Sequence, residues 1–351
     1  MISVGECSME KLIIEKGPLL KEDGSLCEAG YAKSLIKTYE RTAVKANALR
    51  IKEWDYYLIY DQEYALCMTI ADNSYMGLSS VSWIDFTQKA ETTQSIMTLL
   101  PKGKTHLPET SVQGDVQFHN KKIDIQFLND GHRRRLSCTY PRFKNGEELH
   151  AEIELTDVPQ DSLVIMTPYS DDPKAFYYNQ KINCLKASGY VSVGTHMHSF
   201  RTGSFGSLDW GRGVWTYENT WYWASASGIW NGHRFGFNLG YGFGDTTAAS
   251  ENMLFYDGIG HKLDRVQFQI PKNAAGREDW LHAWKFTSND RRFEMIFEPI
   301  LDRRSCTDAL ILKSDQNQVF GTFTGEAVLD DGQTIHLDHF LGFAEKVLNR
   351  W

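Results

Sequence analysis

The chain has 351 residues, 42% hydrophobic and 23% charged, with a formal net charge of -8. That length suits two domains better than one core, and the apolar content excludes a disordered polymer. The negative balance excludes an electrostatic grip on nucleic acid.

Residues 1–17, MISVGECSMEKLIIEKG, lack a basic stretch followed by an apolar run, so no signal peptide is expected. No apolar run approaches the roughly 18 residues of a spanning helix, so no transmembrane segment is expected. Cys7, Cys27, Cys67, Cys138, Cys184 and Cys306 are scattered without a CxxC, which fits reduced thiols in a cytoplasmic protein. Residues 30–47 could hold one short helix.

From residue 54 onward the pattern alternates with a period of two, the mark of half-buried strands. Strands are predicted over 54–60, 64–71, 78–86, 92–100, 112–119, 123–128, 134–140, 149–155 and 163–167. They resume over 220–227, 233–241, 252–257, 263–270, 281–288, 292–298, 318–329 and 334–341. Turn signals separate them, among them Asn129-Asp130-Gly131, Asn145-Gly146, Asn231-Gly232 and Asp331-Gly332, where tight hairpins demand positive φ. Arg133-Arg134-Arg135 reads as a solvated strand start rather than a phosphate site. Residues 342–351 lean towards a closing strand over a helix.

Two blocks recur in order. WDYYLIYDQEYALCMTIAD (54–72) resembles TWYWASASGIWNGHRFGFNLG (220–240), and IQFLNDGHRRRLSCTYP (125–141) resembles WKFTSNDRRFEMIFEP (284–299). An internal duplication follows. The expected domains are 1–170 and 171–351, dividing where Pro and Asp cluster at Pro168 to Pro173.

Residues 205–244 hold five of the ten tryptophans: Trp210, Trp215, Trp221, Trp223 and Trp230. On a strand, Trp221 and Trp223 share one face, and Tyr222, Ala224 and Ala226 the other. Such a face suits a pocket wall or ordinary core. Asp209-Trp210-Gly211-Arg212-Gly213 reads as a tight loop whose acid and guanidinium orient a ligand or brace each other. The ligand-binding candidates are Trp210, Arg212, Trp215, Trp221, Tyr222, Trp223 and Phe237. The catalytic candidates are Asp209 and then Glu251, chosen over Glu218, Asp245 and Asp257. His196 and His198 have the spacing of a metal pair, but hydrogen-bonded or solvent-facing imidazoles are the better reading, and no metal or cofactor is expected. The glycines of 240–244 precede no Walker lysine, and GxSxG and HExxH are absent.

The strings FGSLDWGRGVW, TWYWASASG, GHRFGFNLGYGFGDTTAASENMLFYDG and RIKEWDYY resemble the signatures of domain-of-unknown-function family 2804, over about residues 17–351. The resemblance implies two lipocalin-like β-barrels, similar to the calycin-like group that includes tocopherol cyclase and hydroxyneurosporene synthase. The expected fold is therefore all-β, with two lipocalin-like antiparallel barrels or curved sheets. The expected partner is a hydrophobic small molecule, either a lipid, an isoprenoid or a polyketide-like compound. An acid-initiated cyclase, hydratase or isomerase acting on such a molecule is the alternative.

Overall fold

The computed structural model describes residues 10–309 and 312–350; Leu310, Ile311, Trp351 and residues 1–9, with the opening scanned for a signal peptide and Cys7, lie outside them. Strand accounts for 64% and helix for 2%. Three short strands come first: β1 (Gly17–Pro18), β2 (Gly30–Ala32) and β3 (Lys37–Thr38). The first large sheet takes β4 (Ile51–Tyr60), β5 (Tyr64–Asp72), β6 (Met76–Asp85), β7 (Ala90–Leu99), β8 (Val116–His119), β9 (Asp124–Asn129), β10 (Arg134–Lys144) and β11 (Glu147–Thr156). It continues with β12 (Leu163–Tyr169), β13 (Asp172–Val193), β14 (His196–Phe200) and β15 (Phe205–Val214). The second sheet takes β16 (Glu218–Trp230), β17 (His233–Tyr241), β18 (Met253–Tyr256), β19 (Ile259–Lys262), β20 (Val266–Gln269), β21 (Trp284–Ser288), β22 (Phe293–Ala309), β23 (Leu312–Val328) and β24 (Thr334–Arg350).

The main path of the first sheet is β7-β6-β5-β4-β15-β13-β11-β10-β9-β8, and the second runs β19-β18-β17-β16-β24-β23-β22-β21-β20. The two paths are one plan used twice. Hairpins run outward from β4, as they do from β16. The later strands start at the far edge and return, ending in β13 and in β24. In the second sheet β24 pairs directly with β16, whereas β15 is inserted between β13 and β4 in the first. The repeated sequence blocks fall at equivalent places, the hairpins β4–β5 and β16–β17 and then β9–β10 and β21–β22. Both sheets curl as antiparallel half-barrels, bearing out the all-β expectation.

Several local expectations are corrected. Residues 30–47 form no α-helix. Gly30, Tyr31 and Ala32 pair in register with Met166, Ile165 and Val164, and a 3-10 turn follows at Arg41–Ala43. The hydrogen bonds offered by the edge of β12 outweigh a weak local helix preference. Residues 209–213 are strand rather than loop, whereas the expected closing strand is borne out, 334–350 being one continuous strand. The Pro168 to Pro173 cluster lies in the hairpin between β12 and β13, where Tyr169 faces Asp172. The sheet itself changes at residues 215–217. Among the arginines of 133–135, Arg133 and Arg135 engage Glu154 at the surface, whereas Arg134 turns inward to the Ser111 carbonyl.

β13 and β15 position everything that follows. All ten residues of β15 are buried, as is the middle of β13, because these strands have a half-barrel interior on one side and the second sheet on the other. Phe176, Tyr178, Trp210 and Val214 turn into the first interior, and Tyr177, Asn179, Lys181 and Asp209 turn into the seam between the sheets. Gly211 is required there: a Cβ would sit 2.0 Å from the Trp54 ring laid over it. The second interior is filled with rings, Phe237 lying 5.0 Å from Phe293 and 4.9 Å from Phe323.

Tyr60 on β4 ties the sheets together. Its hydroxyl accepts the Ser227 N–H at 2.5 Å and donates to the Ser227 carbonyl at 2.9 Å. Tyr60→Phe leaves both backbone groups buried without partners. It should lower stability by about 1–3 kcal/mol, read as a drop in the urea midpoint, and an unchanged midpoint would refute the tie.

Candidate functional site

The seam gathers charge inside an aromatic shell. Lys181 and Asp209 are direct partners across β13 and β15, and their Nζ–Oδ1 distance is 2.8 Å. Asn179 donates to the same Asp209 oxygen at 2.7 Å. The ammonium also lies 4.0 Å from the Trp223 ring centroid, as a desolvated cation–π contact. Both ionised groups are almost wholly withdrawn from solvent, so each needs the other.

Glu251 enters from the loop between β17 and β18. Its backbone carbonyl accepts from Asn238 Nδ2 at 2.8 Å, and Asn238 Oδ1 accepts the Trp223 indole N–H at 2.7 Å. Its Oε1 accepts the Tyr177 hydroxyl at 2.9 Å. Its Oε2 is buried without a hydrogen-bond partner and rests over Gly240, where a Cβ would come within 2.8 Å of it. Burial pushes the Glu251 carboxyl up to about 7; Lys181 and Tyr177 pull against that shift, and the charge of Asp209 adds to it. Burial also holds the Tyr177 hydroxyl well above its ordinary range, so it stays protonated and donates.

The shell is made of stacked and edge-on rings. Tyr177 stacks on Phe243 with centroids 4.8 Å apart, Trp215 meets Tyr177 at 5.6 Å and Trp221 at 5.2 Å, and Trp54 closes on Trp215 at 5.7 Å. A carboxylic acid that is substantially protonated near neutral pH, has an oxygen without a hydrogen-bond partner and is ringed by π-faces can give a proton and stabilise the cation that results.

Of the residues singled out in the sequence, Asp209, Glu251, Trp215, Trp221 and Trp223 meet in this seam. Arg212 and Trp210 do not, and the supposed pairing of Asp209 with Arg212 is corrected. Residues three apart on a strand point to opposite faces. Arg212 instead pairs with Asp55 at 3.0 Å, donates to the Trp54 and Pro108 carbonyls, and lies 4.2 Å from the Trp210 ring centroid inside the first half-barrel. Tyr222 stacks on Tyr241 at 4.6 Å on the far side of β16, and Phe237 lies in the phenyl core described above. Glu218 holds Arg350, Asp257 holds His233, and Asp245 closes a turn on Thr247. His198 meets Asp61 at 2.6 Å and His196 meets the Tyr64 hydroxyl at 3.3 Å; among the described residues no group of potential metal ligands gathers.

Tyr177, Asn179, Lys181 and Trp54 were missed by sequence reasoning. No period-two signal marked the first three: residues 177 to 183 read Tyr-Tyr-Asn-Gln-Lys-Ile-Asn, with polar side chains on both faces of the strand.

A family profile described as Domain of unknown function (DUF2804) matches residues 10–351, in line with the resemblance read from the aromatic-glycine strings. No curated protein matches the chain. Among solved structures, a protein assigned as AttH from Nitrosomonas europaea is similar over 90% of this chain and 97% of its own, at 11% identity and a TM-score of 0.53. Kievitone hydratase from Nectria haematococca aligns over 95% of this chain and 98% of its own, at 9% identity and a TM-score of 0.47. CghA with Sch210972 aligns over 95% and 97%, at 10% identity and a TM-score of 0.48. The first likeness shows a shared lipocalin-like fold, and the other two are too loose to carry an argument.

Two outcomes are expected from this geometry. The Glu251 value in the folded chain, about 7, lies above its ordinary 4.5, so the folded state holds that proton more tightly than the unfolded one. The resulting stabilisation is fully present below pH 4.5 and is lost as pH rises to about 7. Across that window the wild type should lose roughly 3 kcal/mol relative to Glu251→Gln in urea titrations, and parallel pH profiles would refute the shift. Separately, Asp209→Asn leaves the Lys181 ammonium buried without its counter-charge and should cost about 3–5 kcal/mol. The double variant Lys181→Met with Asp209→Leu should recover most of that loss by the same measurement.

Proposed function

Since the chain belongs to the DUF2804 family, whose description assigns no activity, we propose from the site itself that it takes up an apolar small molecule in the aromatic seam and protonates it there. The carrying observation is Glu251: buried, raised to about 7, held through one oxygen by Tyr177 and without a hydrogen-bond partner at the other. A proton placed on an alkene makes a carbocation. The faces of Tyr177, Trp215, Trp221 and Phe243 favour such a cation, and the dry surroundings keep water from quenching it early. Lys181 and Asp209 hold the electrostatics around the acid. Capture of the cation by an internal double bond, by water or by proton loss gives a cyclisation, a hydration or an isomerisation, so the reaction class is acid-initiated.

Ligand capture without chemistry is the simpler reading, and the indole-lined seam supports it equally. Glu251 favours the catalytic one, because a pure binder of apolar molecules has no use for a raised carboxyl at the wall. The substrate class on this reading is a lipid, isoprenoid or polyketide-like molecule. Cys27, Cys67, Cys138, Cys184 and Cys306 are free thiols, which supports a reducing compartment such as the cytoplasm. No helix among the described residues is long and apolar enough to cross a membrane.

The test is a panel of polyunsaturated isoprenoids and polyketide-like compounds incubated with the protein in deuterated water. Binding is read from tryptophan fluorescence, and protonation from deuterium gained in the recovered compound by mass spectrometry. Wild type should quench and incorporate the label. Glu251→Gln should quench with similar affinity and lose at least about a hundredfold in incorporation. Unchanged emission across the whole panel, with nothing carried by the purified protein, would remove the proposal.

A further inference from the structure

The face that the second sheet turns to the first carries a line of side chains that the proton-donor reading leaves unused. Gly240, Trp223, Glu345, Gln318 and Arg303 stand directly opposite one another across β17, β16, β24, β23 and β22. Directly opposed residues share a face, so these five make one row. Glu251 Oε2 lies over the Gly240 end, and Arg303 marks the other. Four interstrand spacings separate the ends, so the row spans no more than roughly 19 Å.

The two charges of this row, Glu345 and Arg303, stand two strands apart; each favours the other's charged form, but they make no salt bridge with each other. Glu345 is satisfied by neutral donors: the Trp221 indole N–H at 3.1 Å and the side-chain amides of Gln318 at 3.0 Å and Gln316 at 3.3 Å. Among the described residues no carboxylate oxygen lies within salt-bridge distance of Arg303. Its Nη1 donates to Ser82 Oγ at 2.7 Å, reaching the first sheet, and its Nε is sealed from solvent without an acceptor although the residue as a whole is half-buried. Beside it, the Tyr56 hydroxyl donates to Cys67 Sγ at 3.4 Å, and burial raises both groups, so neither supplies an anion. Glu91, the other nearby carboxylate, takes the Thr93 hydroxyl at 2.7 Å. Gln318 Oε1, next in the row, is also buried without a partner. By contrast Arg212, turned into the first half-barrel, has Asp55 at 3.0 Å. A guanidinium with one nitrogen sealed from solvent and no carboxylate at salt-bridge distance gains from an anion that a ligand brings to it.

We propose that Arg303, backed by Gln318, binds an anionic oxygen of the ligand, a carboxylate or an ionised enol, so that the substrate is an amphiphilic acid. Its charged head sits at Arg303, and its apolar body runs over Trp223 towards Glu251. The assignment rests on uptake of an apolar molecule in the seam, and it makes that molecule's far end specific. Arg suits this role because its planar fork meets a carboxylate with two parallel donors.

Farnesoate and farnesol, which share one hydrocarbon body and differ in the head, serve as probes, titrated by tryptophan fluorescence. Wild type should prefer farnesoate by roughly tenfold or more. Arg303→Gln should abolish the preference while keeping farnesol affinity, and Arg303→Lys should retain part of it. Equal affinities in the wild type, or a preference that survives Arg303→Gln, would overturn the assignment. If neither probe binds, seam uptake fails for this ligand class, and thermal melting of the ligand-free protein decides the role of Arg303. A melting point raised by Arg303→Gln supports a guanidinium built for an anion, and one lowered or unchanged overturns it.

Discussion

Lys181 and Asp209 face each other where β15 and the middle of β13 have no solvent side, and that pairing constrains the whole seam. β15 and that middle stretch of β13 are covered on one face by the first half-barrel interior and on the other by the second sheet. Every polar side chain on them must therefore find its partner within the protein or in a ligand. Asn183 does so with Ser225 Oγ at 2.7 Å and the Phe237 carbonyl at 3.1 Å, and Cys184 N–H does so with Ser227 Oγ at 3.0 Å. Those bonds cross from one sheet to the other, so the docking of the sheets and the satisfaction of the buried polar groups are one event. A hydrophobic seam of the same volume would hold the sheets at least as well, since buried ion pairs rarely add net stability. The charged version points to chemistry more than to stability.

The two interiors and the seam divide the aromatic residues by what their edges require. Phenyl rings, which need no hydrogen-bond partner, fill the second half-barrel around Phe237, Phe293 and Phe323. Two of the three indoles of β16 lie where acceptors exist: Trp221 donates to Glu345 and Trp223 to Asn238. Those bonds fix ring orientation, so the π-faces around Lys181 and Glu251 are preset before a ligand arrives. Such preorganisation is what gives electrostatic catalysis its strength, because the dipoles need not reorient when charge develops.

The inserted strand β15 is what separates the first half from the second. In the second sheet the last strand closes directly against the first, and the charged pair across them, Glu218 with Arg350, lies exposed at the strand ends. In the first sheet β15 slips between β13 and β4, and with it comes Asp209 opposite Lys181. Gly211 lets the same strand pass beneath Trp54, so the insertion supplies both the counter-ion and the bed for one wall of the aromatic shell. A duplicated plan thus acquired its asymmetry, and its candidate site, at one place.

The all-β class, the duplication and the hairpins were legible along the chain because a half-buried strand writes its environment as alternation, and Asn-Gly or Asp-Gly turns mark where it reverses. The closing strand at 334–350 and the shared face of Trp221 and Trp223 came from the same rule. That rule falls silent where both faces are buried: β13 lost its contrast between sides, and β15, full of glycine, resembled a loop. Partner choice was equally hidden. Asp209 and Arg212 look like a pair in one dimension, yet the pleat sends them to opposite faces, towards Lys181 and Asp55. Sequence alone therefore determined the half-buried strands and which surfaces are aromatic, since those depend on local sterics and hydrophobic period. Only the tertiary structure decided that Glu251 sits within reach of Tyr177 and beside the Lys181 pair, because burial and charge proximity are set by strands far apart in the chain.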